Sequence, residues 1–238
     1  MGGAASLGSG GYRGTPVEEL LPVALEPANR RSRPGLALVV VLDKSGSMAE
    51  AMGNLPKIQA AREAVLGAAG LLEAGDRFGL LAFDAASGWA VPLQEAPTAD
   101  GLRSLLARVN PSGGTRILPA LAEASTGLRG LAGWRRHVIL VTDGQGEGGD
   151  FSAAARALAG EGITLSCIAV GDDADVGMLH ELAAAGGGRL ELARDAQRLA
   201  ATLRREVAVA RGPLVREGRA AVVANPHPVL GDAAKNGI

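Results

Sequence analysis

Four short apolar runs constrain this chain more than any other feature of it. They are LALVVVL at 36–42, FGLLAF at 78–83, HVILVT at 137–142 and ITLSCIAV at 163–170, each followed at once by Asp or Gly. The runs are continuous rather than alternating and partly β-branched, which is how strands buried on both faces read. Between them, apolar residues recur at helical spacing. Ile58, Ala61, Val65, Ala68 and Leu72 share one face, and Leu102, Leu105, Leu106 and Val109 form a second stripe. A third stripe joins Leu118, Leu121, Ser125 and Leu128, with Pro119 in the first turn, where its missing N–H does no harm. Met178, Leu179 and Leu182 mark a fourth, and Leu199, Leu203 and Val207 mark a last helix capped by Asp195.

Weaker runs at 88–93 and 189–192 suit edge strands. Strand and helix in alternation demand right-handed crossovers and a covered sheet. The expected fold is therefore α/β: a doubly wound, mostly parallel sheet with helices on both faces, over residues 34–211. Residues 1–33 form a Gly-rich N-terminal flank and 212–238 a Pro-containing C-terminal flank, neither with enough apolar pattern to fold alone.

Composition narrows the function. Apolar residues make up 47% of the 238, enough for a real core. The 24 basic and 25 acidic residues nearly cancel, and no Lys/Arg run offers the basic surface that nucleic acid requires. No apolar run approaches the 18 or so residues of a membrane span, and the first residues lack a basic segment followed by an apolar one. The chain as given therefore reads as soluble, without membrane contact of its own. Cys167, alone of its kind, sits inside an apolar run and reads as a small buried hydrophobe.

Ligands of open α/β sheets bind beyond the carboxyl ends of the strands, where strand order reverses. Two loops at such ends, and a third before a helix, carry oxygen donors. The first strand runs into Asp43-Lys44-Ser45-Gly46-Ser47, the strand from 137 ends in Thr142-Asp143-Gly144, and Gly113-Gly114-Thr115 precedes the third helix. Two carboxylates and three hydroxyls, without imidazole or thiolate, suit a hard divalent cation, Mg²⁺ first, rather than zinc. Residues 43, 45 and 47 alternate along an extended turn, so their side chains can converge.

Asp-x-Ser-x-Ser, Gly-Gly-Thr and Thr-Asp-Gly in this order resemble the von Willebrand factor type A (VWA) domain and its metal-ion-dependent adhesion site (MIDAS). The resemblance implies a Rossmann-like sheet with one antiparallel edge strand. It implies that Ser45 and Ser47 ligate the metal directly, Thr115 directly or through water, and Asp43 and Asp143 mainly through water. Mg²⁺ is the implied ion, with Mn²⁺ or Ca²⁺ as alternatives, and a Glu or Asp of a partner protein is the implied last ligand. The segment GGYRGTPVEELLPV at 10–23 resembles the lead into this domain in bacterial membrane-anchored proteins with a glutamine-amidotransferase-like region. The chain would then be the soluble portion of such a protein.

Three rival readings stand beside this one. Ser45 and Ser47 could cap the helix that opens near Pro56. Asp43 could be the nucleophile of a phosphotransferase of the haloacid-dehalogenase type. That reading wants a second Asp where Ser45 stands and a lysine from a later strand, and Lys44, Lys57 and Lys235 follow none. The domain could also be a scaffold with an unused metal site. Asp84 reads as a turn or cap residue, with a hydrogen bond near the site as the alternative, Lys44 as solvent-exposed, and His137, His180 and His227 as scattered and not catalytic. Glycines 186–188 read as a helix stop.

Overall fold

The computed structural model describes residues 34–212, apart from 132, 145 and 147. Its elements run β1 (Leu36–Asp43), a 3₁₀ turn (Gly46–Ala49), β2 (Ala51–Met52), β3 (Leu55–Pro56), α1 (Lys57–Ala69), β4 (Arg77–Phe83), β5 (Ser87–Glu95) and α2 (Ala99–Leu106). They continue through α3 (Ile117–Leu128), β6 (Arg135–Thr142), α4 (Phe151–Gly160), β7 (Ile163–Val170), α5 (Val176–Ala185), β8 (Gly187–Ala193) and α6 (Ala196–Arg211). The six-stranded sheet has the order β5-β4-β1-β6-β7-β8, and β2 pairs with β3 in a separate small hairpin. All neighbours in the large sheet are parallel except β4 and β5.

All eight residues of β1 are buried, and their alternation divides the core in two. Leu36, Leu38, Val40 and Leu42 face Ile58, Ala61 and Val65 of α1 with Leu199, Leu203 and Val207 of α6. Ala37, Val39 and Val41 belong to the other cluster, with Leu121 of α3, Leu158 of α4 and Leu179 of α5. A strand covered on both faces cannot afford a polar residue along its length, which is why its sequence reads as one unbroken apolar run.

The four central runs and both edge strands form where expected, and the pair with antiparallel direction lies at the β5 edge. Asp195 caps α6 by accepting from the Arg198 N–H at 2.7 Å. Three details differ from the sequence reading. Helix α4 lacks a counterpart there, because its apolar face rests on small residues and a single Leu158. On α3 the fully packed residues are Ile117, Ala120, Leu121, Ala124 and Leu128, with Leu118 only half-buried at the stripe's edge. Of the three glycines at 186–188, Gly186 ends α5 while Gly187 and Gly188 already open β8. The flanks 1–33 and 213–238 lie outside the described residues.

The chain leaves β1 for β4 and β5 on one side, then returns to add β6, β7 and β8 on the other. The order therefore reverses between β1 and β6. That places the crevice for a ligand beyond the carboxyl ends of these two strands, where Asp43 ends β1 and Asp143 follows β6.

Candidate metal centre

Asp43 is wholly buried, and both of its carboxylate oxygens are held. Oδ1 accepts from the Ser45 N–H at 2.7 Å, and Oδ2 accepts from the Thr142 hydroxyl. Thr142 Oγ1 in turn accepts from the Gly144 N–H at 2.9 Å, so this one hydroxyl ties the end of β1 to the turn after β6. Burial pushes the Asp43 carboxyl up from its ordinary value. The hydrogen bonds from Thr142 and Ser45 oppose that shift, and the neighbouring charge of Asp143 adds to it.

Ser45 is buried and Ser47 half-buried, with their hydroxyl oxygens 3.1 Å apart. Neither serves as a helix cap. The N-cap position of α1 is Pro56, without a side-chain cap, and Ser45 makes no capping bond to the 3₁₀ turn. The capping reading of these serines therefore has no support in the geometry.

The third loop is stitched to the first by the backbone. Gly46 N–H donates to the Gly113 carbonyl at 3.2 Å, and Ser112 N–H to the Lys44 carbonyl at 2.7 Å. Gly113 has φ +69°, and a Cβ there would lie 3.3 Å from the Asp84 side chain, so a glycine serves both the turn and the close approach. On the far side, a Cβ on Gly146 would lie 3.3 Å from the Thr115 carbonyl oxygen. Thr115 thus sits where the loops after β1 and β6 both press against its own, and it is buried rather than at the surface.

Asp143 has no exposed surface, and its two oxygens differ. Oδ2 lies 3.3 Å from Lys57 Nζ, whereas Oδ1 is buried without any hydrogen-bond partner. A buried, unpartnered carboxylate oxygen is costly, and a cation at that oxygen would remove the cost.

Lys57 is the residue that strand-end reasoning missed. It opens α1, its side chain is 3% exposed, and it reaches Asp143 in the crevice. Nζ also lies 2.9 Å from both Asp173 oxygens and 3.2 Å from Glu50 Oε2. Burial alone would lower its ammonium, but the Asp173, Glu50 and Asp143 carboxylates outweigh burial and raise it. Lys57 therefore stands as a cation inside the site. Its signal in the sequence was a lysine at the first position of an otherwise apolar helical face.

At the rim, Lys44 differs from expectation and Asp84 takes both of the roles open to it. Lys44 is not solvent-exposed in isolation but pairs with Asp84, which also accepts from the Ser112 hydroxyl at 2.7 Å. Asp84 is therefore a strut between the rim loops as well as a turn residue. Burial raises its carboxyl, yet Lys44 and the hydrogen bonds from Ala86 and Ser112 bring it down to about 2. Beside this rim opens a groove of about 580 Å³ lined in part by Lys44, Asp84, Trp89, Arg108 and Asn110.

Three distant stretches thus bring oxygen donors to one end of the sheet. Among the described residues no three His, Cys, Asp or Glu gather in a ready-made metal cluster. The oxygen atoms at this rim are instead two carboxylates with hydroxyls, and the orphaned Asp143 oxygen is of a kind that fits a hard cation. Residues 37–204 match the von Willebrand factor type A domain. The chain belongs to this family. Members of the VWA family are generally metal-dependent protein-interaction modules and typically not enzymes.

Among curated proteins the VWA chain resembles the uncharacterized protein sll0103 of Synechocystis, at 27% identity over 177 residues. That match takes in 71% of the chain and 40% of the relative, so the chain spans less than half of the curated protein it matches. Among solved structures, a von Willebrand factor type A protein from Catenulispora acidiphila superposes with a TM-score of 0.68 at 26% identity, over 75% of this chain and 43% of that one. Proximal thread matrix protein 1 of the mussel byssus, solved with a zinc-occupied MIDAS motif, shares the fold at a TM-score of 0.64 and 21% identity. It covers 75% of this chain and 46% of its own. No helix among the described residues of the VWA chain is long and apolar enough to cross a membrane.

Proposed function

We propose that residues 34–211 form a protein-binding module that depends on a divalent cation, Mg²⁺ first and Mn²⁺ or Ca²⁺ as alternatives. Ser45, Ser47 and Thr115 would offer hydroxyl oxygens to the ion, with Asp43 and Asp143 acting mainly through water. When bound, the ion supplies an electron-poor position that a Glu or Asp carboxylate of a partner protein can take. The groove beside Lys44 and Arg108 would receive residues flanking that acidic side chain.

The observation that carries this reading is the Asp143 Oδ1 atom, buried without a partner in the crevice that Asp43 borders. Thr142 and Ser45 hold Asp43, and the Ser45 backbone N–H sets the turn that brings Ser45 and Ser47 together. The phosphotransferase alternative loses support from the same geometry. A nucleophile needs access to substrate, whereas Asp43 is fully buried. The flank sequence at 10–23 supports membership of a larger membrane-anchored protein.

Calorimetric titration with Mg²⁺ and Mn²⁺ tests the reading. Binding by the wild-type chain, lost in Ser45→Ala and Asp143→Ala, is the expected result. A chain that binds neither ion, or that turns over an aryl phosphate in a manner abolished by Asp43→Asn, would overturn it. Capture of a partner in Mg²⁺ and its release by EDTA would extend the reading to recruitment.

A further inference from the structure

Lys57 does not belong to the five oxygen donors, yet it is the most tightly enclosed charge beside them. Its side chain is 3% exposed, and its ammonium lies 3.3 Å from Asp143, 2.9 Å from Asp173 and 3.2 Å from Glu50. The enclosure is specific. Gly171, at the end of β7 with φ +90°, leaves the space that the lysine stem fills, and a Cβ there would come within 3.0 Å of Lys57 Cε. The three carboxylates come from three different loops, so the ammonium joins the turn after β1, the turn after β6 and the turn after β7.

We propose that Lys57 is a resident counter-cation of the metal centre, which neutralises Asp143 when no metal is bound and opposes metal loading when one arrives. The proposal rests on the reading of the site as a metal centre. Asp143 is shared: Oδ2 faces the ammonium, and Oδ1 is the atom without a partner. Two cations that share one buried carboxylate, the ammonium at contact and the metal through its bound water, repel each other, and low local polarity strengthens that repulsion. Without Lys57, however, an empty site would hold an uncompensated buried carboxylate. The lysine thus makes the empty site tolerable and makes the metal-bound site less favourable than its oxygen set alone would. The consequence is a metal affinity held down, so that occupancy responds to supply.

The test is a Lys57→Met variant beside Lys57→Arg, which keeps the charge. Metal affinity is measured by calorimetry with Mg²⁺ and Mn²⁺, and thermal unfolding is followed in EDTA and in saturating Mg²⁺. In Lys57→Met the affinity should rise about tenfold, the Tm in EDTA should fall, and the Tm gain on adding Mg²⁺ should widen. Lys57→Arg should return both readouts close to wild type. A merely structural lysine would lower the Tm equally with and without Mg²⁺, and that result overturns the proposal, as does unchanged or weaker metal binding by folded Lys57→Met. Should Lys57→Met not fold, Asp173→Asn decides. It leaves the ammonium with fewer partners beside Asp143, so metal affinity should drop several-fold with little change in EDTA stability. Unchanged affinity in that variant overturns the proposal. Wild-type protein that binds neither ion overturns the metal reading and this one together, whereas wild-type binding without a gain in Lys57→Met overturns only the role of Lys57.

Discussion

Thr142→Val removes one hydroxyl and little volume, and the structure sets how much that should cost. Thr142 is fully buried, donates to Asp43 Oδ2 and accepts from the Gly144 N–H at 2.9 Å. A hydrogen bond to an ionised group contributes about 1.5–3 kcal/mol, and a buried donor left without a partner costs about 1–3 kcal/mol. Both losses fall on sites water cannot reach, so the variant should be destabilised by about 4 kcal/mol. That is a large part of a typical domain stability of roughly 5–15 kcal/mol. Urea unfolding in EDTA, with Thr142→Ser as the control that keeps the hydroxyl, measures it.

The pH dependence of that deficit is a second readout with a defined sign. Burial holds the folded Asp43 carboxyl above its ordinary value of 3.8. A group raised in the folded state stabilises below its unfolded value, and the contribution is lost as pH rises through the folded value. Thr142 opposes the raise, so Thr142→Val should carry the loss to higher pH, and the deficit should be smaller at pH 5 than at pH 8. A variant within 1 kcal/mol of wild type at pH 8, or a deficit independent of pH, would refute the assignment of Thr142 as the tie between Asp43 and the β6 turn.

Other outcomes follow from single residues. His137 is pushed down to about 4 by burial and by Arg189, so stability should fall as pH drops from about 6.5 towards 4, by up to roughly 3 kcal/mol; in His137→Gln the slope of Tm against pH over this window should flatten. Thr115→Ala should weaken Mg²⁺ binding while leaving the Tm in EDTA within a few degrees of wild type, and an unfolded circular dichroism spectrum would make the residue structural. Val40→Asp places a charge between Leu80 and Ile139 in the central strand and should abolish folding, visible as loss of far-ultraviolet dichroism. Reaction of Cys167 with a thiol reagent should be negligible until urea unfolds the chain, since burial pushes its thiol up to about 12.

The sheet was legible because its central strands are buried on both faces and therefore lack polar interruptions. The runs at 36–42 and 163–170 coincide with β1 and β7 to within one residue for that reason. Helix α4 was not legible, since alanines at 153–155 and 157 carry little periodic contrast. The loops after β1 and β6 could be picked out because those strand ends are marked by sharp changes from apolar to acidic residues, whereas the loop of Thr115 joins two helices and was marked only by its Gly-Gly-Thr run. What those loops touch could not. The partnership of Lys44 with Asp84 spans 40 positions, and that of Lys57 with Asp173 spans 116.

Local pattern thus determined the kinds of element, their order and the oxygen-rich character of the strand ends, because hydrophobic periodicity and turn chemistry act over a few residues. Only the folded chain decided that a lysine from the first helix enters the crevice, that Thr142 secures Asp43, and that one oxygen of Asp143 is left without a partner. Such facts depend on which strands become neighbours and on which side chains lose water together, and burial of that kind is a property of the whole packed sheet rather than of any stretch within it.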